Sequence, residues 1–447
     1  MKKRALSVVM AVSLASISLT ACGTGGSSPG ASASPSGTNA AKRNAAPKEI
    51  TMLMFTDWYK SGIQAVEKDI NDNADKLGFK LNIEKVAGGQ QGSELYKARA
   101  AANELPMLLP NYGVNWIKGN LGGLGHFQEV GGDWTKNIPE SIMKAPQFTD
   151  TDSGKVYGIP FDSINLLGVF YNKKVFEKLN LAVPKTYAEF LADSDKIKAA
   201  GITPIYLPGK DSWTVNVFDH EGWLTESQPL NDIFAKINTN KAHYTDFSGF
   251  KNAIQKHKEL LDKGYIQKTY LSDSYDGSEK AIAEGTAAMT INATWIMDDI
   301  KKKFPDKAND IGAFRVPFDG NNKLSLFVPF NLSVTDQFKD KELLKKFIDY
   351  FTSQSTQQKF FDAQGGIPYQ KGITSALLPA QSDLKAYVDQ GNTDTFWGNL
   401  TKYDSSDTNN SILDYFTGGK TIDQILPAMD AATAKDAKAK ADPNWKQ

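Results

Sequence analysis

Disulfide bonds cannot hold the folded part of this chain together, because its 447 residues contain one cysteine, Cys22, close to the start. Thiol ligation of a metal goes with them. Histidine is almost as scarce: His126, His220, His243 and His257 are the only four, none at a metal-ligand spacing. A zinc site or a histidine-based triad is therefore not expected. No excess of positive charge exists either, since 51 Lys+Arg face 51 Asp+Glu, and nucleic-acid binding loses its electrostatic footprint. Phosphate-cradling glycine motifs are missing. Gly122-Gly123-Leu124-Gly125 neither follows a strand nor opens a helix as a dinucleotide fingerprint requires, and it reads as a turn. Beyond the first 47 residues arginine occurs only as Arg99 and Arg315, whereas pockets for phosphate or carboxylate prefer the guanidinium fork. These absences favour a neutral, hydroxylated ligand and no cofactor.

What the chain does have begins at its start. Lys2, Lys3 and Arg4 precede an apolar run from Ala5 to Ala21 that ends in small side chains, the pattern of a secretory signal and too short for a convincing membrane span. Leu19-Thr20-Ala21-Cys22 resembles a bacterial lipobox, which implies cleavage after residue 21, lipid on Cys22 and anchoring to the outer face of the cell membrane. Cleavage would remove three of the 51 basic side chains and none of the acidic ones, leaving a net charge of −3. Residues 22–47 are rich in Gly, Ser, Pro and Ala with almost no large apolar side chain, and they read as a disordered tether. The remaining chain is long enough, at 40% apolar composition, to build its own core as two domains.

Ile50-Thr51-Met52-Leu53-Met54-Phe55 reads as a buried strand, Ile63, Val66, Ile70, Ala74 and Leu77 as one helix face, and Phe79, Leu81 and Ile83 as an alternating strand after a stop at Gly78. That is a β-α-β unit, whose ligands lie at the carboxyl ends of the strands. Alternation continues through Gly168–Tyr171 and Thr203–Leu207, so the class is α/β. His257, spaced with Phe250, Ala253, Ile254 and Leu260, reads as a core residue.

Aromatic residues carry the functional signal. Trp58, Trp116, Trp134, Trp213, Trp223, Trp295 and Trp397 lie in segments that also hold Asp, Asn, Ser or Thr, several after strand ends. Sugars need that combination, because their C–H faces stack on rings while their hydroxyls need planar donors and acceptors.

Ordered landmarks extend this reading. Ala101-Ala102-Asn103-Glu104-Leu105-Pro106, Tyr157-Gly158-Ile159-Pro160 with Phe170-Tyr171-Asn172-Lys173, and Val183-Pro184-Lys185-Thr186-Tyr187-Ala188-Glu189-Phe190 come in turn, the last a helix start that Thr186 would cap with Glu189 three residues on. Glu284 to Trp295, Gly365-Gly366-Ile367-Pro368-Tyr369 and Gly418 to Leu426 follow. Together they resemble the extracellular solute-binding proteins of ABC importers, in particular the sugar-binding group that includes maltodextrin-binding proteins. Met107 stands where that family has aspartate, and Ala293-Thr294 where Gly-Pro is common.

The resemblance implies a two-lobed periplasmic-binding-protein-like fold with parallel-rich sheets flanked by helices and hinge crossings between the lobes. The first lobe is expected to take residues 48–159 and 290–327, the second 160–289 and 328–447. A monomer would capture a carbohydrate, most simply an oligosaccharide, and present it to an ABC permease without covalent chemistry. The ligand-binding residues expected are Asp57, Trp58, Asn111, Tyr112, Trp116, Asp162, Asn165, Trp213, Asn292 and Trp295. Other readings stay open: a peptide or other small solute as ligand, a ligand-sensing partner of a membrane receptor, or a glycan-active enzyme with a carboxylate pair.

Overall fold

A computed structural model of the chain describes residues 46–403, 406–442 and 444–445. The expected signal, Cys22 and all but the last two tether residues lie outside the described residues. Among the described residues no helix is long and apolar enough to cross a membrane.

The strands, in chain order, are β1 (Lys48–Phe55), β2 (Phe79–Val86), β3 (Leu108–Asn111), β4 (Ile159–Pro160), β5 (Asn165–Asn172) and β6 (Thr203–Tyr206). They continue as β7 (Ala287–Ala293), β8 (Ile311–Phe314), β9 (Leu324–Phe327), β10 (Asn331–Val334) and β11 (Thr393–Thr395). One sheet has the order β2-β1-β3-β10-β4, and the other has β11-β9-β5-β7-β6 with β8 also on β5. The expected β-α-β unit is present. β1 and β2 run parallel with Met52 opposite Ile83, and the helix Ser61–Asp72 between them buries Ile63, Val66 and Ile70. Asn73 interrupts that helix before the short turn Ala74–Leu77, which Gly78 closes at φ 77°.

The chain leaves the first sheet at 161–164, returns at 328–330 and departs again over 365–378. This differs from the lobe boundaries expected from sequence. Residues 290–327 do not rejoin the first sheet: β7 and β8 pair antiparallel with β5, as does β9 through Leu166 opposite Leu326. The return strand is β10, whose Asn331 lies opposite Asn111 of β3. Nor does everything after 328 belong to the second lobe. The helices Lys341–Phe351 and Gln354–Gln364 pack on the first, through Phe79 against Phe347 at 6.2 Å and Lys359 against Asp69 at 2.6 Å. Gly62 permits this approach, since a Cβ there would come within 2.7 Å of the Phe360 ring.

The second sheet is covered by the helix Tyr187–Ala199, which starts as the sequence predicts. Thr186 Oγ1 accepts from the Glu189 amide at 3.2 Å and Glu189 Oε2 from the Thr186 amide at 3.3 Å, a reciprocal cap worth about 1 kcal/mol. His257 is buried beside Asp219 as a core residue. A further apolar cluster joins Trp223, Phe234 and Phe250 to Ile412, Phe416 and Ile425 of the last helices, so the carboxyl-terminal segment completes the second lobe.

Candidate functional site

Between the two sheets lies a cavity of about 1150 Å³, larger than the roughly 300–1,000 Å³ of ordinary small-molecule pockets. Its first wall is built at the carboxyl ends of β1 and β3. Trp58, in the turn after β1, stacks on Phe330 at 4.1 Å and meets the edge of Tyr112 at 5.0 Å. Tyr112 follows β3 and approaches Trp116 at 5.6 Å. The sharp turn between them needs Gly113, whose φ is 120° and whose Cβ would lie 2.8 Å from Gln147.

The second wall comes from the other lobe. Trp295 follows β7 and opens the helix Trp295–Lys303, and it sits 5.8 Å from Trp213 and 5.6 Å from Phe327. Tyr275 lies 5.4 Å from Trp213, and Phe396 4.9 Å from Phe327. Each lobe therefore presents a band of rings to the same space.

Polar groups interrupt the rings. Asp57 is exposed on the first wall. Tyr275 donates to Asp299 at 2.9 Å, and burial with that carboxylate holds its hydroxyl protonated. Lys60 lines the cavity 3.5 Å from Asp162, which raises its pKa. Beneath it Asp298 accepts from Gln381 at 3.1 Å, and burial pushes its carboxyl up to about 7 against the pull of Lys60. Asn216 and Asn409 are hydrogen-bonded to each other in the second wall. Two bonds join the walls: Asn115 Nδ2 donates to the Asn399 carbonyl at 3.2 Å, and Asn399 Nδ2 to Gln147 Oε1 at 2.9 Å.

Of the residues expected from sequence, Asp57, Trp58, Tyr112, Trp116, Trp213 and Trp295 are brought together around this cavity. Asn111, Asp162, Asn165 and Asn292 are not on its wall, and the expectation is corrected for these four. All are buried. Asn111 bridges Leu109 O at 2.9 Å and Ser333 at 3.1 Å while accepting from the Gly113 amide at 2.8 Å. Asp162 accepts from the Ser163 amide at 2.7 Å and from Gln364. Asn165 accepts from Thr294 at 3.1 Å, and Asn292 from the Ala293 amide at 2.9 Å. Strands that leave a sheet expose backbone groups that must be satisfied, and these side chains serve the crossings instead of the cavity. Trp134 bonds to the Val130 carbonyl and Trp223 is a core ring, neither on the cavity wall. Sequence reasoning missed Lys60, Tyr275, His220, Asn399 and Phe396 as lining residues and left Trp397 unassigned. Only Tyr275 and Trp397, aromatic residues beside polar ones, carried a usable signal.

The family model for bacterial extracellular solute-binding proteins matches residues 68–385. The chain belongs to that family. Among its relatives, this solute-binding protein is 26% identical over 333 residues to the multiple sugar-binding protein of Streptococcus mutans, covering 73% of this chain and 76% of that one. It is 23% identical over 362 residues to a probable sugar-binding periplasmic protein of Rhizobium meliloti, covering 77% and 82%. Its fold matches a chitin oligosaccharide binding protein with a TM-score of 0.74 at 22% identity, over 88% of this chain and all of that one. It also matches the raffinose complex of RafE with a TM-score of 0.70 at 22% identity, over 87% and 99%. The solute-binding protein thus has the two-lobed α/β architecture of periplasmic binding proteins.

Proposed function

We propose that this solute-binding protein captures an uncharged oligosaccharide in the cavity between its lobes and delivers it to the membrane permease of an ABC importer. The observation that carries the reading is the pair of facing aromatic bands, Trp58-Tyr112-Trp116 on one lobe and Trp213-Trp295 on the other, with amides and carboxylates set among them. Rings take the C–H faces of successive sugars, and the polar groups take their hydroxyls. The volume suits more than one sugar ring. Sugar-binding relatives and fold neighbours support the same class. Each lobe supplies half of the contacts, so hinge closure is the motion that completes the site.

The test is a titration of the full chain with glucose, raffinose, stachyose, and xylan and chitin oligosaccharides, followed by intrinsic tryptophan fluorescence and calorimetry. Saturable one-to-one binding that strengthens from glucose to the oligosaccharides is expected. A flat response from folded protein to every sugar would overturn the proposal.

The same reading includes lipid on Cys22, with the segment after it as a tether to the extracytoplasmic face of the membrane. Cys22→Ala is expected to move the protein from the membrane fraction to the medium on expression in a bacterial host. An unchanged distribution would exclude anchoring through this residue.

A further inference from the structure

One part of the second wall carries polar atoms to which the fold gives no partner. His220 lines the cavity at the end of the turn Val217–His220, yet among the described residues neither Nδ1 nor Nε2 has a hydrogen-bond partner. Trp397 lines the same wall, and its indole nitrogen is unpartnered as well. The two rings meet edge to face, 4.9 Å apart at 80°. Both residues are deeply buried, with 6% and 2% of their surface exposed. Phe396, half-buried, also lies 4.9 Å from the imidazole, with its ring 6.2 Å from that of Trp397.

A buried polar atom without a partner costs about 1–3 kcal/mol, and three of them sit side by side here. Among the described residues none engages them: Asp219 turns to His257 and Glu221 to the Ser325 amide. Burial also keeps the imidazole neutral, its pKa pushed down to about 3. The ring therefore offers one N–H and one lone pair, and the indole adds a second N–H.

We propose that His220 and Trp397 form a specificity-determining subsite that takes one sugar unit of an uncharged oligosaccharide, whose hydroxyls supply the missing partners once the Phe396 ring turns aside. The inference rests on the carbohydrate reading above. A hydroxyl suits the site because it can donate to the imidazole lone pair and accept from either N–H. A carboxylate has no proton to donate, and an ammonium group has no lone pair to accept with.

The test titrates the full chain and its H220F, H220Q and W397F variants with raffinose, stachyose, and xylan and chitin oligosaccharides. Any sugar that binds the parent protein is expected to bind H220F and W397F about tenfold more weakly, the loss that follows from removing a hydrogen bond in a desolvated site. H220Q, which keeps a donor and an acceptor, should stay close to the parent. The thermal midpoint of H220F should be unchanged or higher, because an unpartnered polar group has gone. Weakened binding with undiminished stability separates a ligand contact from a structural role. If H220F and W397F bind as the parent does, the subsite is overturned and the carbohydrate reading stands. If H220F does not fold, W397F decides by the same criterion. If the parent protein binds none of these sugars, both fail.

Discussion

Trp213→Ala is expected to weaken oligosaccharide binding by about 30- to 100-fold, the scale of an aromatic hot spot, while leaving stability almost unchanged. Trp213 is 43% exposed although it lines the cavity between Tyr275 and Trp295. An indole with that much open surface contributes little to the core, so truncating it should shift folding by no more than about 0.5 kcal/mol. Its exposed face is what a sugar ring would cover. Calorimetry of the parent and the variant, beside a urea denaturation of each, separates the two effects. Undiminished affinity would show that the second aromatic band does not touch the ligand. Trp223→Ala would be uninformative here, because Trp223 is stacked on Phe250 at 4.4 Å inside the core and its loss would unsettle the lobe.

Stability should fall by about 3 kcal/mol as pH rises from 6.5 to 8, by proton linkage at three carboxyls. These are half-buried Asp298 and buried Glu221 and Glu279, the last pushed up to about 7 by burial against the pull of Lys303. Burial pushes Asp298 up to about 7, with Asp162 and Asp299 adding to the effect, and it pushes Glu221 up to about 8 against the Ser325 amide. In the unfolded chain such groups ionise near pH 4. Their contribution is therefore complete below about pH 4 and is lost as pH rises through the folded values. His220 has the opposite sign: held neutral, it costs stability only as pH falls below its unfolded value of about 6.5. Urea denaturation at a series of pH values should show the decline. Asp298→Asn should flatten it from about pH 4 up to 7, and Glu221→Gln from about pH 4 up to 8, so that above pH 7 Glu221→Gln has the larger effect. A profile that stays level in the parent protein would mean that none of these carboxyls is held protonated by the fold.

Local patterns carried most of the architecture. The run at β1, the helix face from Ile63 to Ile70 and the Thr186–Glu189 cap are each set by residues within a few positions of one another, and each formed as read. The lobe boundary was not legible, because whether β7 to β9 join one sheet or the other is decided by pairing with β5, more than a hundred residues upstream. The site divides in the same way. Large rings after strand ends faced the cavity, since an indole there has a ligand-sized space to border. Asn111, Asp162, Asn165 and Asn292 occupy similar positions, but a short polar side chain can as readily bond the turning backbone beside it, and these four do. His220 and Trp397 lie far apart in sequence, and no spacing rule could have brought them together.

The bridge at Asn399 has a consequence for selectivity. Its bonds to Asn115 and Gln147 are made by the protein to itself, so they contribute the same free energy whichever ligand lies between the walls. On the proposed hinge closure they lower the conformational tax of closing the lobes by a constant amount, which would lift the affinity of every ligand equally and leave the ranking among ligands untouched. Discrimination must then come wholly from the cavity wall, while anything that empties the cavity has the same fixed clasp to undo on every cycle.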